Sequence, residues 1–162
     1  MIDVIILAAG QGSRMRSSQP KVLHEIGGKS MLDHVVDAAM SLNDVKVHIV
    51  VGHRADAVKA SLTQPCNIIE QTEQLGTAHA VSQALPNLTP DSQVLILYAD
   101  VPLIQPETLT SMLAAVDAES IAVLTTNLAD PTGYGRIVRN KAREVIDIVE
   151  HKDATEQQRQ IT

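Results

Sequence analysis

The stretch VIILAAGQGSRMRSSQPKVL, residues 4–23, decides how this chain folds. Val4, Ile5, Ile6 and Leu7 run without a polar interruption, then give way to a loop carrying Gly10, Gly12, Arg14, Arg16 and the dipeptide Pro20-Lys21. A continuous apolar run bounded by turn residues reads as a strand covered on both faces. Similar runs recur at residues 45–51, 67–69, 94–98 and 121–125, with helix-period segments between them. Met31, Val35, Val36, Ala39 and Met40 share one face of the first helix, and residues 55–62 make a short second one. Ala78, Val81 and Leu85 mark the third, while Leu109, Met112, Leu113 and Val116 mark the fourth, opened by Pro106-Glu107. This order predicts an α/β fold with a Rossmann-like, mostly parallel sheet, helices on both faces and right-handed crossovers. Ligands of such sheets bind beyond the carboxyl ends of the strands, which is where the opening loop departs.

Beyond residue 127 the pattern changes to a Gly-rich loop and two short strands, residues 136–139 and 145–149, joined by a polar turn. The last residues, ATEQQRQIT, are polar and offer no apolar face to bury. With 162 residues the chain is long enough for one domain that buries roughly 68–70% of its unfolded surface. Phe and Trp are absent and Tyr occurs twice, so Val, Ile, Leu, Ala and Met must fill the core.

Net charge of −6 argues against a nucleic-acid binder that neutralises many phosphates. The distribution matters more, because between Gln11 and Ser30 the cations Arg14, Arg16, Lys21 and Lys29 face only Glu25. A small phosphorylated ligand fits that local excess. Cys66 is the sole cysteine, so no internal disulfide forms, and it reads as a buried, inert thiol. The N-terminus lacks a basic segment and no apolar run approaches the ~20 residues of a membrane span, so the expected location is cytoplasmic.

Three phosphate-binding patterns compete for residues 10–30. A dinucleotide fingerprint fails because Met15 stands at its third glycine and Gly52-His53 occupies the end of the second strand, where a ribose-binding acid belongs. A Walker A loop fails because Leu23 replaces its first glycine before Gly28-Lys29-Ser30. What remains is Gly10-x-Gly12-x-Arg14 followed by Pro20-Lys21, in which glycines let backbone N–H groups converge on an anion and Arg14 and Lys21 add charge. The same loop also reads as a mobile turn with solvated cations. The histidines, at positions 24, 34, 48, 53, 79 and 151, show no zinc spacing and none is assigned a catalytic role.

Taken together and in order, LAAGQGSRM, PKVL, EQLGTAHA, YADVPL, DPTGYGRI and IVEHKDAT closely resemble the N-terminal uridylyltransferase domain of the bifunctional bacterial N-acetylglucosamine-1-phosphate uridylyltransferase/glucosamine-1-phosphate acetyltransferases. The likeness covers the whole chain, residues 1–162. It implies transfer of UMP from UTP to N-acetylglucosamine 1-phosphate, giving UDP-N-acetylglucosamine for cell-wall precursors and pyrophosphate, with Mg²⁺ as cofactor. Such chemistry asks chiefly for positioning and charge neutralisation.

Carried over by position, the resemblance implies that Leu7, Ala8, Ala9 and Gly10 face the nucleotide through backbone groups while Arg14 and Lys21 brace its phosphates. Gln71, Gly76 and Thr77 match positions that bind uracil. Asp100 matches the metal-binding aspartate, and Tyr98 and Ala99 line the same pocket; the family commonly has glycine where Ala99 stands, so its methyl is expected to tighten that pocket. Gly135 and Glu150 match positions that bind the N-acetylglucosamine moiety. Read without the resemblance, Thr77 is equally a helix cap, Asp100 a turn former and Glu150 a surface acid.

The resemblance also implies that the rest of the uridylyltransferase domain, the β-helix acetyltransferase domain and the homotrimer contacts lie outside these residues. The expectation is therefore little or no turnover by the chain alone, with exposed apolar surface. Two other readings stay open: a related nucleotidyltransferase using another base or sugar phosphate, and a non-catalytic nucleotide-binding module.

Overall fold

The computed structural model describes residues 1–10, 15, 17, 19–52 and 54–162. They form two compact units, Met1–Ala122 and Val123–Thr162. The first is built on a parallel sheet whose strands lie in the order β5 (Asn67–Glu70), β4 (Val45–Val51), β1 (Ile2–Ala8), β6 (Gln93–Tyr98). A two-residue hairpin, β2 (Glu25–Ile26) and β3 (Lys29–Ser30), precedes the first helix.

β1 sits at the centre and is buried on both sides, which is why its sequence shows no alternation. Val4, Ile6 and Ala8 face one core, shared with α1 (Met31–Met40), Val58 of α2 (Ala55–Ser61) and Leu109 of α4 (Pro106–Ala114). Ile5 faces the other, with Val50 of β4 and Ala80 and Ala84 of α3 (Thr77–Ala84). Helices thus cover both faces, as the continuous apolar runs predict. The chain order third, second, first, fourth reverses between β1 and β6, and a crevice opens at their carboxyl ends.

Ser30 caps α1, its hydroxyl accepting the Asp33 N–H at 3.0 Å, so the Gly28-Lys29-Ser30 tripeptide belongs to a hairpin and a helix cap rather than to a phosphate loop. Lys29 is held by Asp37 of α1 and is not part of the free cationic excess.

The structure corrects the sequence reading in three places. Residues 121–125 form no strand, and Ile121 and Leu124 are 88% and 56% exposed. β-Propensity is realised only through ladder pairing and burial, and this segment has neither. In α3 the inward face is Ala80 and Ala84 with Val81, whereas Leu85 is exposed in a 3-10 turn, Leu85–Asn87, in which Pro86 stops the helix. The polar C-terminal residues are not featureless: α5 (Glu156–Arg159) starts with a capping box in which Thr155 Oγ1 accepts the Gln158 N–H at 3.2 Å and Gln158 Oε1 accepts the Thr155 N–H at 2.9 Å. Ala154 beside it is buried.

The second unit is an antiparallel pair, β7 (Arg136–Arg139) and β8 (Val145–Val149), with α5 against β7. No helix among the described residues is long and apolar enough to cross a membrane.

One buried polar pair was not expected from the sequence. Asp3 and His48, both fully buried on neighbouring strands, meet at 2.7 Å through Asp3 Oδ1 and His48 Nε2, and Asp3 Oδ2 accepts the Thr89 N–H at 2.9 Å. Burial pushes the Asp3 carboxyl up, yet the nearby Ser92 hydroxyl and hydrogen bonds from His48 and Thr89 outweigh it and hold the group well below the usual carboxylate range. The pair ties β1 to β4 and to the turn before β6.

Candidate functional site

The crevice at the β1/β6 reversal holds a cavity of about 320 Å³, lined from four directions. Its floor is the end of β1, Leu7, followed by Ala9 and Gly10. One wall is the 3-10 turn Lys21–Leu23, another is the end of β6 with Tyr98 and Asp100, and opposite lie Gln71, Gln74 and the start of α3 at Gly76 and Thr77.

Each polar group is placed by its neighbours in sequence. Val22 and Leu23 are buried and pin their turn to the core, and Gln19 closes it by donating to the Leu23 carbonyl at 2.8 Å. Pro20 enters the turn with φ −52° and presents Lys21 at its head. Asp100 follows Ala99, whose N–H still bonds the Leu7 carbonyl at 3.1 Å, so the ladder between β6 and β1 carries the carboxylate to the crevice mouth. There Lys21 Nζ and Asp100 Oδ2 meet at 2.7 Å, 79 residues apart in sequence. The side chains are 36% and 39% exposed, so the pair remains open to solvent and to exchange of partners.

Gln71 is only 5% exposed. Its N–H is fixed by the Val51 carbonyl at 2.8 Å, and its Nε2 donates toward the Gly76 carbonyl at 3.3 Å and lies 3.0 Å from His79 Nδ1. Gly76 takes φ +99°, the left-handed region that favours glycine, and occupies the cap position of α3. Thr77 is therefore the first helical residue and makes no capping hydrogen bond, which removes the helix-cap reading and leaves its hydroxyl at the cavity without a partner among the described residues.

Gln74 was not singled out from the sequence, although it lies within EQLGTAHA. Its Nε2 donates to the Ala9 carbonyl at 2.9 Å and so tethers the loop after β5 to the loop after β1. Gly52 is the third member of that junction, since a Cβ there would stand 2.8 Å from the Ala9 oxygen and 2.9 Å from Gln74 Nε2.

Of the residues expected at the site, the structure brings Leu7, Ala9, Gly10, Lys21, Gln71, Gly76, Thr77, Tyr98 and Asp100 around one cavity. Ala8 and Ala99 differ. The side chains alternate along β1 and β6, so Leu7 and Tyr98 face the cavity while Ala8 and Ala99 turn into the core. The methyl of Ala99 is fully buried and does not narrow the pocket. Arg14 lies outside the described residues. Gly135 and Glu150 belong to the second unit, Gly135 just before β7 and Glu150 just after β8. At Gly135 a Cβ would meet nothing closer than the Val149 oxygen at 3.6 Å, and its φ lies outside the left-handed region, so that unit does not itself demand glycine there.

Among the described residues no three His, Cys, Asp or Glu side chains gather as a metal cage. Asp100 nevertheless suits Mg²⁺, which usually takes one or two carboxylates and completes its shell with substrate phosphate oxygens and water. The arrangement can therefore do one thing well: it sets a partly exposed cation and a carboxylate side by side at the edge of a cavity whose inner end carries amide, hydroxyl and backbone hydrogen-bonding groups.

The chain is 57% identical over 161 residues, 99% of its length, to the bifunctional protein GlmU of Marinobacter nauticus, and spans 36% of that relative. Among solved structures, a Bacillus anthracis protein assigned as a glucose-1-phosphate thymidylyltransferase, in complex with sucrose, matches 93% of this chain and 65% of its own with TM-score 0.73 at 23% identity. Rv0371c of Mycobacterium tuberculosis, in complex with manganese, matches 70% of this chain and 58% of its own with TM-score 0.59 at 21% identity. These two likenesses show that the chain shares their fold. The profile of the MobA-like NTP transferase domain matches residues 4–161, and the chain belongs to that family.

Proposed function

We propose that the chain is the N-terminal portion of a uridylyltransferase domain that transfers UMP from UTP to N-acetylglucosamine 1-phosphate, releasing pyrophosphate and forming UDP-N-acetylglucosamine. The observation that carries this reading is the Lys21–Asp100 ion pair beside Gln71 at the β1/β6 reversal, in a chain 57% identical to a bifunctional GlmU protein.

In this reading the uracil enters between Gln71, Gly76 and Thr77, and the backbone of Leu7, Ala9 and Gly10 supports the nucleoside. Lys21 leaves Asp100 for the triphosphate and stabilises charge on the departing pyrophosphate, with Arg14 as the second cation. Asp100 then serves as the carboxylate ligand of Mg²⁺. The manganese bound to the solved Rv0371c supports divalent-metal use within the fold. When bound, the metal would neutralise charge on the phosphates. The oxygen of the sugar phosphate attacks the α-phosphorus of UTP as the bond to the β-phosphate oxygen breaks. Gly135 and Glu150 are proposed to receive the N-acetylglucosamine moiety.

Calorimetric titration of UTP with Mg²⁺, GTP, dTTP and UDP-N-acetylglucosamine into the chain tests the reading. Selective binding of UTP and UDP-N-acetylglucosamine is expected. A preference for another nucleotide, or no response to UDP-N-acetylglucosamine, overturns the substrate assignment. Pyrophosphate release in the presence of both substrates measures what turnover the chain itself sustains.

A further inference from the structure

We infer that His79 is a specificity-positioning residue: it locks the Gln71 side-chain amide with its oxygen outward, so that the cavity presents a lone acceptor to the nucleobase. This rests on the nucleotide-site reading above and adds to it a residue that does not itself face the ligand.

The inference follows from hydrogen-bond accounting. Gln71 Nε2 lies 3.3 Å from the Gly76 carbonyl, and a carbonyl only accepts, so the atom pointing there is the NH₂ group. The same Nε2 lies 3.0 Å from His79 Nδ1. With both amide hydrogens committed, Nδ1 must be the unprotonated nitrogen of the ring, and in the neutral tautomer the proton sits on Nε2. His79 Nε2 in turn is 3.2 Å from the Gln83 amide, one helical turn along α3. Two donors cannot face each other, so Gln83 presents its oxygen to His79 Nε2–H; its other contact, to Ser82 Oγ at 3.4 Å, is long and gives way. The chain Gln83, His79, Gln71, Gly76 is then satisfied in one direction only. It leaves Gln71 Oε1 as that side chain's sole uncommitted polar atom among the described residues, in a side chain buried against the inner end of the cavity.

A fixed acceptor chooses among bases. Uracil offers N3–H between two carbonyls and matches it, whereas cytosine has an unprotonated N3 at that place and meets it with a lone pair. A site built around one acceptor rejects an analogue that lacks the donor, because a buried polar group is left unpaired. Without His79 only the long 3.3 Å contact to the Gly76 carbonyl holds the amide, and the orientation with NH₂ toward the nucleobase becomes more accessible.

The test compares dissociation constants for UTP and CTP with Mg²⁺ in the wild-type chain and in Gln71→Ala, His79→Leu and His79→Asn, with thermal melts of each. His79→Leu is expected to reduce the UTP-over-CTP preference about tenfold or more, chiefly by weakening UTP. His79→Asn, whose Oδ1 falls where Nδ1 stood, is expected to restore it to within about threefold. Unchanged preference in His79→Leu, or equal loss in the Asn and Leu variants, overturns the inference. A long-range ¹H–¹⁵N spectrum of the wild-type chain at neutral pH gives an independent check that needs no variant: protonated Nε2 with bare Nδ1 is expected, and a proton on Nδ1 refutes the assignment. If Gln71→Ala leaves UTP binding unchanged and the wild type shows no base preference, the nucleotide reading itself fails. If Gln71→Ala abolishes the preference while His79→Leu keeps it, only the role of His79 fails.

Discussion

Replacing Lys21 by alanine separates what the Lys21–Asp100 pair does for the fold from what it does for a ligand. At 2.7 Å two unit charges attract by about 1.5 kcal/mol at the dielectric of water and about 6 kcal/mol at an effective value of 20. The side chains are 36% and 39% exposed, so screening and side-chain entropy bring the net contribution to stability down to about 0–1 kcal/mol. Val22 and Leu23, which anchor the turn, are untouched by the change. The melting temperature should therefore fall by no more than about 2–4 °C for a chain of this size. Nucleotide binding should respond more strongly. A charged hydrogen bond to a phosphate oxygen is worth about 1.5–3 kcal/mol, or roughly 10- to 150-fold in affinity, and the surrender of Asp100 places the expectation toward the lower end. In turnover, loss of one preorganised donor corresponds to about two to three orders of magnitude. The assay is calorimetry of UTP with Mg²⁺ at low ionic strength, run beside urea unfolding of the same preparations. Affinity within twofold of wild type would refute the role assigned to Lys21, and a loss of several kcal/mol in stability would show that the pair belongs to the scaffold instead.

Other outcomes follow from the packing. Asp3→Asn should cost about 3–5 kcal/mol at pH 7, because it strips a buried pair of its charge. The depressed carboxyl stabilises fully above its unfolded value of about 4 and loses that contribution as pH falls through its lower folded value, so the gap to wild type in urea unfolding should narrow below about pH 4. Gly52→Ala should weaken nucleotide binding more than it weakens the fold, since the new Cβ meets the Ala9 carbonyl and Gln74 amide at the cavity edge; equal affinity in a titration would show that the junction yields freely. Cys66 is half-buried, and burial followed by the nearby Asp33 charge pushes its thiol up, so disulfide reagents at neutral pH should label it far more slowly than the urea-unfolded chain. Thr155→Ala should remove about 0.5–2 kcal/mol from the helix α5, seen as faster amide exchange at Gln158.

Local chemistry made much of this protein legible in the sequence. The unbroken apolar runs at β1 and β4 report burial on both faces, because a strand between two helix layers has no solvent side to mark with polar residues. Pro106 marks the start of α4 in the sequence, whereas the Ser30 cap and the Thr155-x-x-Gln158 box, equally local, emerged only with the structure. Of the candidate site, position alone marked the loop after β1 with its cations, at a strand end where parallel sheets place their ligands; Gln71, Gly76, Thr77, Tyr98 and Asp100 entered only through the resemblance of the sequence motifs. Residues 121–125 look like the other strands in composition, but among the described residues they find no ladder partner.

What tertiary structure alone decided are the relations between distant residues. Lys21 meets Asp100 because two neighbouring parallel strands end side by side, and no periodicity in the chain encodes a contact across 79 residues. Asp3 and His48 pair within the core because β1 and β4 lie side by side in register, and Gln74 reaches Ala9 because the loops after β5 and β1 leave the same edge of the sheet. The alternation that turns Tyr98 to the cavity and Ala99 to the core depends on which face the helices cover. A sequence carries the pattern of what must be buried; the register of the sheet determines against what.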